Sequence, residues 1–449
     1  MVRYIDILKL VWPLALGMIN SALMQFVDRT YLAHDAMSSL EAVLPATALV
    51  WVFMCFFQSV VGYAGVFVAQ YHGAGDEVKV RESYHAGMVI AIVSGLLMFA
   101  FLPLGEFIFS MTANSEEIVV KECEYYDIAM LGGIFVYGQM ACASYFTGRG
   151  NTRIVFWVSL LGNILNVALD PLLIFGYWGV PRLGITGAAY ATVASMAVQF
   201  VILAVAAHRE KRKQVLSERP KTFDRSLALR ILRFGIPSGG YEVLNMASFT
   251  IFVFVTGTLT PIAFAASNAC FTVNYLIFAP MTGFALGVQT LVGQSLGRGD
   301  TRGAFVALRR TMVLALSFVV VACATVLCMS DWIMGLFASE VPVESIGEFK
   351  ALGFTLLCLM STWMLFDAAD VILSGALKGA GDTRFVFWWM MFCAFVLWIP
   401  SVFVVLAIKK DMPLLWSTMV VYVIITVIGS FWRWHRGKWC AIHLLDKNG

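Results

Sequence analysis

Seven side chains that could bind a small cation lie inside long apolar runs: Asp28, Asn166, Asp170 and Thr192 early in the chain, and Glu242, Asp367 and Asp370 later. An ionisable group at mid-membrane costs about 2.5–3.5 kcal/mol on insertion scales, so each acid there needs a reason. Asp170 follows Asn166 by one helical turn and shares its face. At 1.5 Å rise per residue, Asp28, Asn166, Asp170 and Thr192 come out at similar levels on three helices. Carboxylate, amide and hydroxyl oxygens at one level suit a proton or a small hard cation. Glu242 lies nine residues inward from Arg233, and Asp367 lies 17 residues inward from Lys350 on the opposite side, which brings both to one depth. Asp370 sits one turn beyond Asp367 on the same face. No Lys or Arg is expected at that depth, so these acids should take up and release a cation as their surroundings change. The plainer alternatives are that Asp28 reaches outward beside Arg29, that Asp170 caps a helix end before Pro171, and that Glu242 and Asp367 are structural acids bonded to Tyr or Trp.

The elements that must position these groups follow from composition. The 449 residues are 60% hydrophobic and 13% charged, against about 25% charged in soluble proteins, so a water-soluble globule is excluded. Apolar stretches long enough to cross a bilayer as helix recur throughout. Twelve spans are predicted, near 8–33, 42–70, 85–110, 122–147, 154–177, 184–208, 229–257, 262–295, 304–329, 350–377, 384–408 and 413–434. The fold class expected is an all-α polytopic membrane protein. Its domains would be an N-lobe over 1–207, a basic linker over 208–228 and a C-lobe over 229–449. No cleavable leader is evident at the N-terminus, so the first helix should be retained. With that end cytoplasmic, 25 of the 31 Lys and Arg fall on the inside, and only Lys409–Lys410 break the pattern. Both termini are therefore expected in the cytoplasm of a bacterial or archaeal inner or plasma membrane.

Two cassettes recur in order. Gly148-Arg149-Gly150-Asn151-Thr152-Arg153 returns as Gly379-Ala380-Gly381-Asp382-Thr383-Arg384. Val68-Ala69-Gln70 with Gly73 and Gly75-Asp76 returns as Val292-Gly293-Gln294 with Gly297 and Gly299-Asp300, and Pro13 returns as Pro237. Six spans per copy make the repeats parallel, with a cleft expected between them and Pro13 and Pro237 as hinge or kink positions. Asn166 and Asp170 shift onto Leu397 and Ser401, so the acids inside the scaffold are not duplicated. Tyr145, Tyr241, Trp363, Met364 and Phe366 are candidates to line the cleft for flat organic cations.

Other chemistries lack their residues. The six His lie at helix ends or loops, the nine Cys show no metal or disulfide spacing, and there is no GxxxxGK[ST] loop. No metal, no cofactor beyond a coupling H+ or Na+, and no enzymatic activity is expected.

Together, Pro13 with Phe26-Val27-Asp28, the Gln70–Asp76 segment, Gly150–Arg153, Asn166 with Asp170-Pro171, Gly187–Thr192 and Asp367 ahead of Gly375–Gly379 resemble the multidrug and toxic compound extrusion (MATE) family. The resemblance implies twelve helices in two lobes and export of drug-like or metabolite compounds against Na+ or H+. In the DinF-type branch the coupling residues resemble Asp28, Asn166, Asp170 and Thr192, and in the NorM-type branch Asp28, Glu242 and Asp367. Trp363 stands where NorM-type relatives often have Tyr, and Asp370 where they often have Gln. The partners expected are a small organic solute and the bilayer, with no nucleic acid and a monomeric state. A lipid-linked precursor flippase of the same superfamily is the alternative, though extra helices and a basic cleft are missing.

Overall fold

The computed structural model describes residues 3–112, 114–213, 220–338, 341–442 and 444–445. Among them the regular structure is helical throughout. The spans are α1 (Tyr4–Asp35), α2 (Met37–Ala74), α3 (Glu77–Ser110), α4 (Glu116–Leu131 and Gly133–Gly148), α5 (Thr152–Phe175) and α6 (Ile185–Glu210). The second half continues with α7 (Arg225–Thr256), α8 (Pro261–Gly297), α9 (Thr301–Cys328), α10 (Val343–Gly379), α11 (Thr383–Ile408) and α12 (Met412–His435). Eleven are long and apolar enough to cross a membrane singly, and α4 makes the twelfth as a pair bent by 41°. That bend differs from the straight span expected over 122–147, and it falls at the Gly132-Gly133 pair, where helix propensity is lowest. Helix α3 begins eight residues before the expected position 85, because Asp76 accepts the Lys79 N–H (2.9 Å) and caps a polar extra turn. The middle of the expected basic linker, 214–219, lies outside the described residues.

The chain forms two compact units. The N-unit comprises Trp12–Gly239, Gly293–Gly299 and Leu444–Gly449; the C-unit comprises Met1–Val11, Gly240–Val292 and Asp300–His443. The divisions fall inside α1, α7 and α8 rather than at the linker. The N-unit buries Tyr63, Phe67, Tyr126, Tyr137 and Phe146 in one apolar core, with a smaller cluster of Leu32, Val43, Ile174 and Ile185. The C-unit is built on indoles: Trp416 stacks on Phe271 (5.0 Å) and donates Nε1–H to Ser267 Oγ (3.1 Å), and Trp398 stacks on Tyr422 (4.6 Å). The Trp398 ring NH donates to Thr418 Oγ1 (3.2 Å), so both of these indoles are satisfied in a dry interior.

The sequence repeats become repeated turns. Gly75 and Gly299 take φ of 79° and 71°, and Gly150 and Gly381 take 82° and 93°, the left-handed region that favours glycine. Asp76 and Asp300 then adopt matching backbone angles and cap α3 and α9 through the N–H of Lys79 and Gly303 (2.9 and 2.7 Å). Within the N-unit, the Gly73 Cα faces the backbone of Gln294, and the Gly297 Cα faces the backbone of Gln70. The two contacts are copies of one another, and each leaves no room for a Cβ.

Candidate functional site

In the N-unit, α1, α5 and α6 bring together all four residues expected there. Asn166 is fully buried, with its amide orientation assigned from its partners. In that orientation its nitrogen donates to Asp28 Oδ1 (2.8 Å) and its oxygen accepts the Thr192 backbone N–H (3.3 Å). The Thr192 hydroxyl donates to the Ala188 carbonyl (3.0 Å), which leaves its lone pairs for the site. Asp170 is also fully buried, and neither of its carboxyl oxygens receives a hydrogen bond. It faces Asp28 within hydrogen-bond reach. Two carboxyl groups so placed are joined only by a proton or a cation between them, because neither offers the other a donor when ionised. Arg29, the neighbouring base in sequence, is exposed.

Two residues of this site escaped the sequence reading. The Tyr125 hydroxyl, on the first half of α4, is bonded to Thr47 on α2 and lies within electrostatic reach of both Asp28 and Asp170. Tyr125 sits beside another tyrosine in a run of acids, and spacing alone gave it no distinction from a surface position.

The C-unit departs from expectation. Glu242 is not left without a base: Lys378, in the last turn of α10, reaches it with Nζ 2.8 Å from Oε1. The expectation of unneutralised acids is corrected there. The cause is the four-carbon lysine stem, which carries the charge well away from the backbone position counted in the sequence. Asp370 is buried and accepts from Ser430 Oγ on α12 (2.7 Å). Asp367, one turn away, is half-buried and receives no hydrogen bond among the described residues. Tyr241 lies within electrostatic reach of Glu242, Asp367 and Asp370. A small cavity of about 10 Å³, room for roughly one water, lies between Tyr241, Asp370, Ser374, Trp389, Thr426 and Ser430.

Three of the expected cleft residues are buried in this structure. Tyr145 is fully buried against Tyr84 and Phe146 with the Arg149 guanidinium over its ring. Trp363 is buried against Trp416, and Met364 is buried with its sulfur facing Asn274 Nδ2. None of the three presents a face to a solute in this conformation, because aromatic and Met spacing marks a packed core as readily as a lining. Phe366 is exposed, and Tyr241 is buried beneath Lys378. Pro13 and Pro237 both lie inside continuous helices.

Twelve apolar spans and a duplicated six-span plan with polar groups buried inside it define a polytopic helical membrane protein. The MatE family model matches residues 13–172 and 237–404, one block per repeat, and the chain belongs to that family. A probable multidrug resistance protein NorM of Thermotoga maritima is 26% identical over 381 residues, covering 84% of this chain and 80% of that protein. The multidrug resistance proteins NorM of Vibrio cholerae and PmpM of Pseudomonas aeruginosa are 23% and 25% identical, covering 88% and 84% of this chain and 86% and 79% of their own lengths. In fold, the chain is similar to a MOP superfamily transporter from Pyrococcus furiosus, with a TM-score of 0.87 at 20% identity over 98% of this chain and 96% of that one. An outward-facing multidrug resistance MATE transporter gives 0.86 at 19% identity over 98% and 96%.

Proposed function

We propose that this transporter exports drug-like or metabolite compounds, organic cations among them, in exchange for H+ or Na+ by alternating access. The observation that carries the reading is Asp170: fully buried, without a single donor, and facing a second carboxyl group. Such a group has high energy in an apolar interior unless a cation shares it. Asp28 and Asp170 are the coupling pair on this reading, Asn166 and Thr192 complete the oxygen shell, and Tyr125 closes it. Glu242, Asp367 and Asp370 form the acidic side of the cargo site. Pro13 and Pro237 are the hinges, the chain works as a monomer in the inner or plasma membrane, and both termini face the cytoplasm. The names of the NorM and PmpM relatives support multidrug cargo, and nothing favours a lipid-linked precursor flippase.

The test is efflux of a fluorescent organic cation from vesicles, with Na+ and pH gradients imposed separately. One gradient should drive efflux, and Asp28→Asn and Asp170→Asn should each abolish that drive. Efflux by both variants at the wild-type rate would overturn the coupling assignment.

A further inference from the structure

Around Lys378 the C-unit already contains the chemistry of a cation-binding site, with its cation in place. The ammonium is 2.8 Å from Glu242 Oε1 and 3.9 Å from the centroid of the Tyr241 ring, a carboxylate on one side and an aromatic face on another. Lys378 is only 8% exposed, whereas the Glu242 side chain is 40% exposed, so the charge is covered while its partner's outer edge stays open. Asp370 lies within electrostatic reach of Lys378 and lines an adjoining cavity of about 10 Å³. Asp367 stands one turn from Asp370 and is half-buried. Three acids in an apolar interior would hold an organic monocation too firmly to let it go. One resident ammonium removes part of that attraction.

We propose that Lys378 is a tethered cation occupying the position an organic monocation takes in the C-unit, so that cargo binds against Glu242 and Tyr241 only by displacing it. The displaced ammonium has somewhere to go. Asp370, within electrostatic reach on the same helix, offsets part of its charge, so Lys378 need not become an uncompensated buried charge, which would be severely costly. When cargo leaves, Nζ returns to Glu242 and closes the position behind it. Lys378 is thus a specificity-determining residue: it sets how strongly cationic cargo is held and favours large, delocalised cations that can use the Tyr241 face over compact ions that cannot.

The inference rests on organic cations being cargo, and its test needs no ion gradient, so failure of ion-driven export leaves the result readable. Binding of tetraphenylphosphonium to the purified full chain is measured at equilibrium. Lys378→Gln should bind on the order of tenfold tighter, as removal of one close competing charge implies. Lys378→Gln combined with Glu242→Gln should lose that gain. Unchanged or weaker binding by Lys378→Gln, or a gain that survives in the double variant, overturns the proposal. A second measurement uses the unaltered protein: acetylation of Lys378, read by mass spectrometry, should be slow and should accelerate several-fold at saturating tetraphenylphosphonium. Labelling that stays the same or slows overturns the proposal, as does a failure of tetraphenylphosphonium to bind wild type and variant alike.

Discussion

Asp170 is the residue on which function and stability pull apart. Its carboxyl group has no donor, so ionised it is among the most costly groups in the N-unit. Asp170→Asn keeps the shape and removes the charge. We expect thermal unfolding of the purified variant at or above the wild-type temperature, with ion-driven efflux reduced by at least about tenfold. A variant that unfolds several degrees lower would show that the charge has a structural partner. Thr192→Val should weaken coupling and spare folding, because the oxygen it removes donates within its own helix, to the Ala188 carbonyl. This half of the site was legible in the sequence, since Asn166 and Asp170 are one turn apart and Asp28 has few reasons to be in an apolar run. In the other half the acids were legible and their base was not. Lys378 was counted with the inner loop because its Cα belongs there, while its charge lies with Glu242.

At the scale of elements, the repeated glycine turns carry most of what the sequence foretold. Gly75, Gly150, Gly299 and Gly381 recur because the same left-handed residue must precede the same helix start in each copy. What spacing could not foretell is which glycines meet backbone. Gly73 meets Gln294, whereas Gly17 on α1 has open space around it. Gly73→Val should therefore destabilise the protein by about 1–3 kcal/mol through overpacking. Gly17→Ala should leave the unfolding temperature unchanged or raise it slightly, since alanine is the better helix former. Equal responses in thermal unfolding would refute the contact. At the start of α7, Asp224 offers a pH test outside the spans. Burial works to raise its pKa, but the N–H groups of Leu227 and Ser226 and the Lys79 ammonium together hold it below the ordinary carboxylate value. A lowered folded pKa means that its contribution is complete above the unfolded value and is lost as pH falls through the folded one. Asp224→Ala should cost about 0.5–2 kcal/mol at neutral pH, as for other N-caps. That difference should shrink as stability is measured at progressively lower pH below 4.

For the molecule as a whole, the two prolines lie beside the divisions between compact units. The first division in α1 falls after Val11, two residues before Pro13, and the division in α7 falls after Gly239, two residues beyond Pro237. In α7 the neighbouring glycines separate cleanly, Gly239 packing on Phe56 of the N-unit and Gly240 on Phe387 of the C-unit. A proline inside a helix removes one backbone hydrogen bond and crowds the preceding turn, so it is where a continuous helix bends most easily. If the units move as bodies, such points serve the helices that contribute to both; α8, also divided, has its Pro280 twelve residues before the division after Val292. Pro13→Ala and Pro237→Ala restore the missing donor and should stiffen α1 and α7. Each should unfold at the same or a higher temperature, bind tetraphenylphosphonium like the wild type, and export it several-fold more slowly. If the variants bind normally and export at the wild-type rate, bending at these positions is not part of the cycle, and the duplicated prolines serve only to set the static path of their helices.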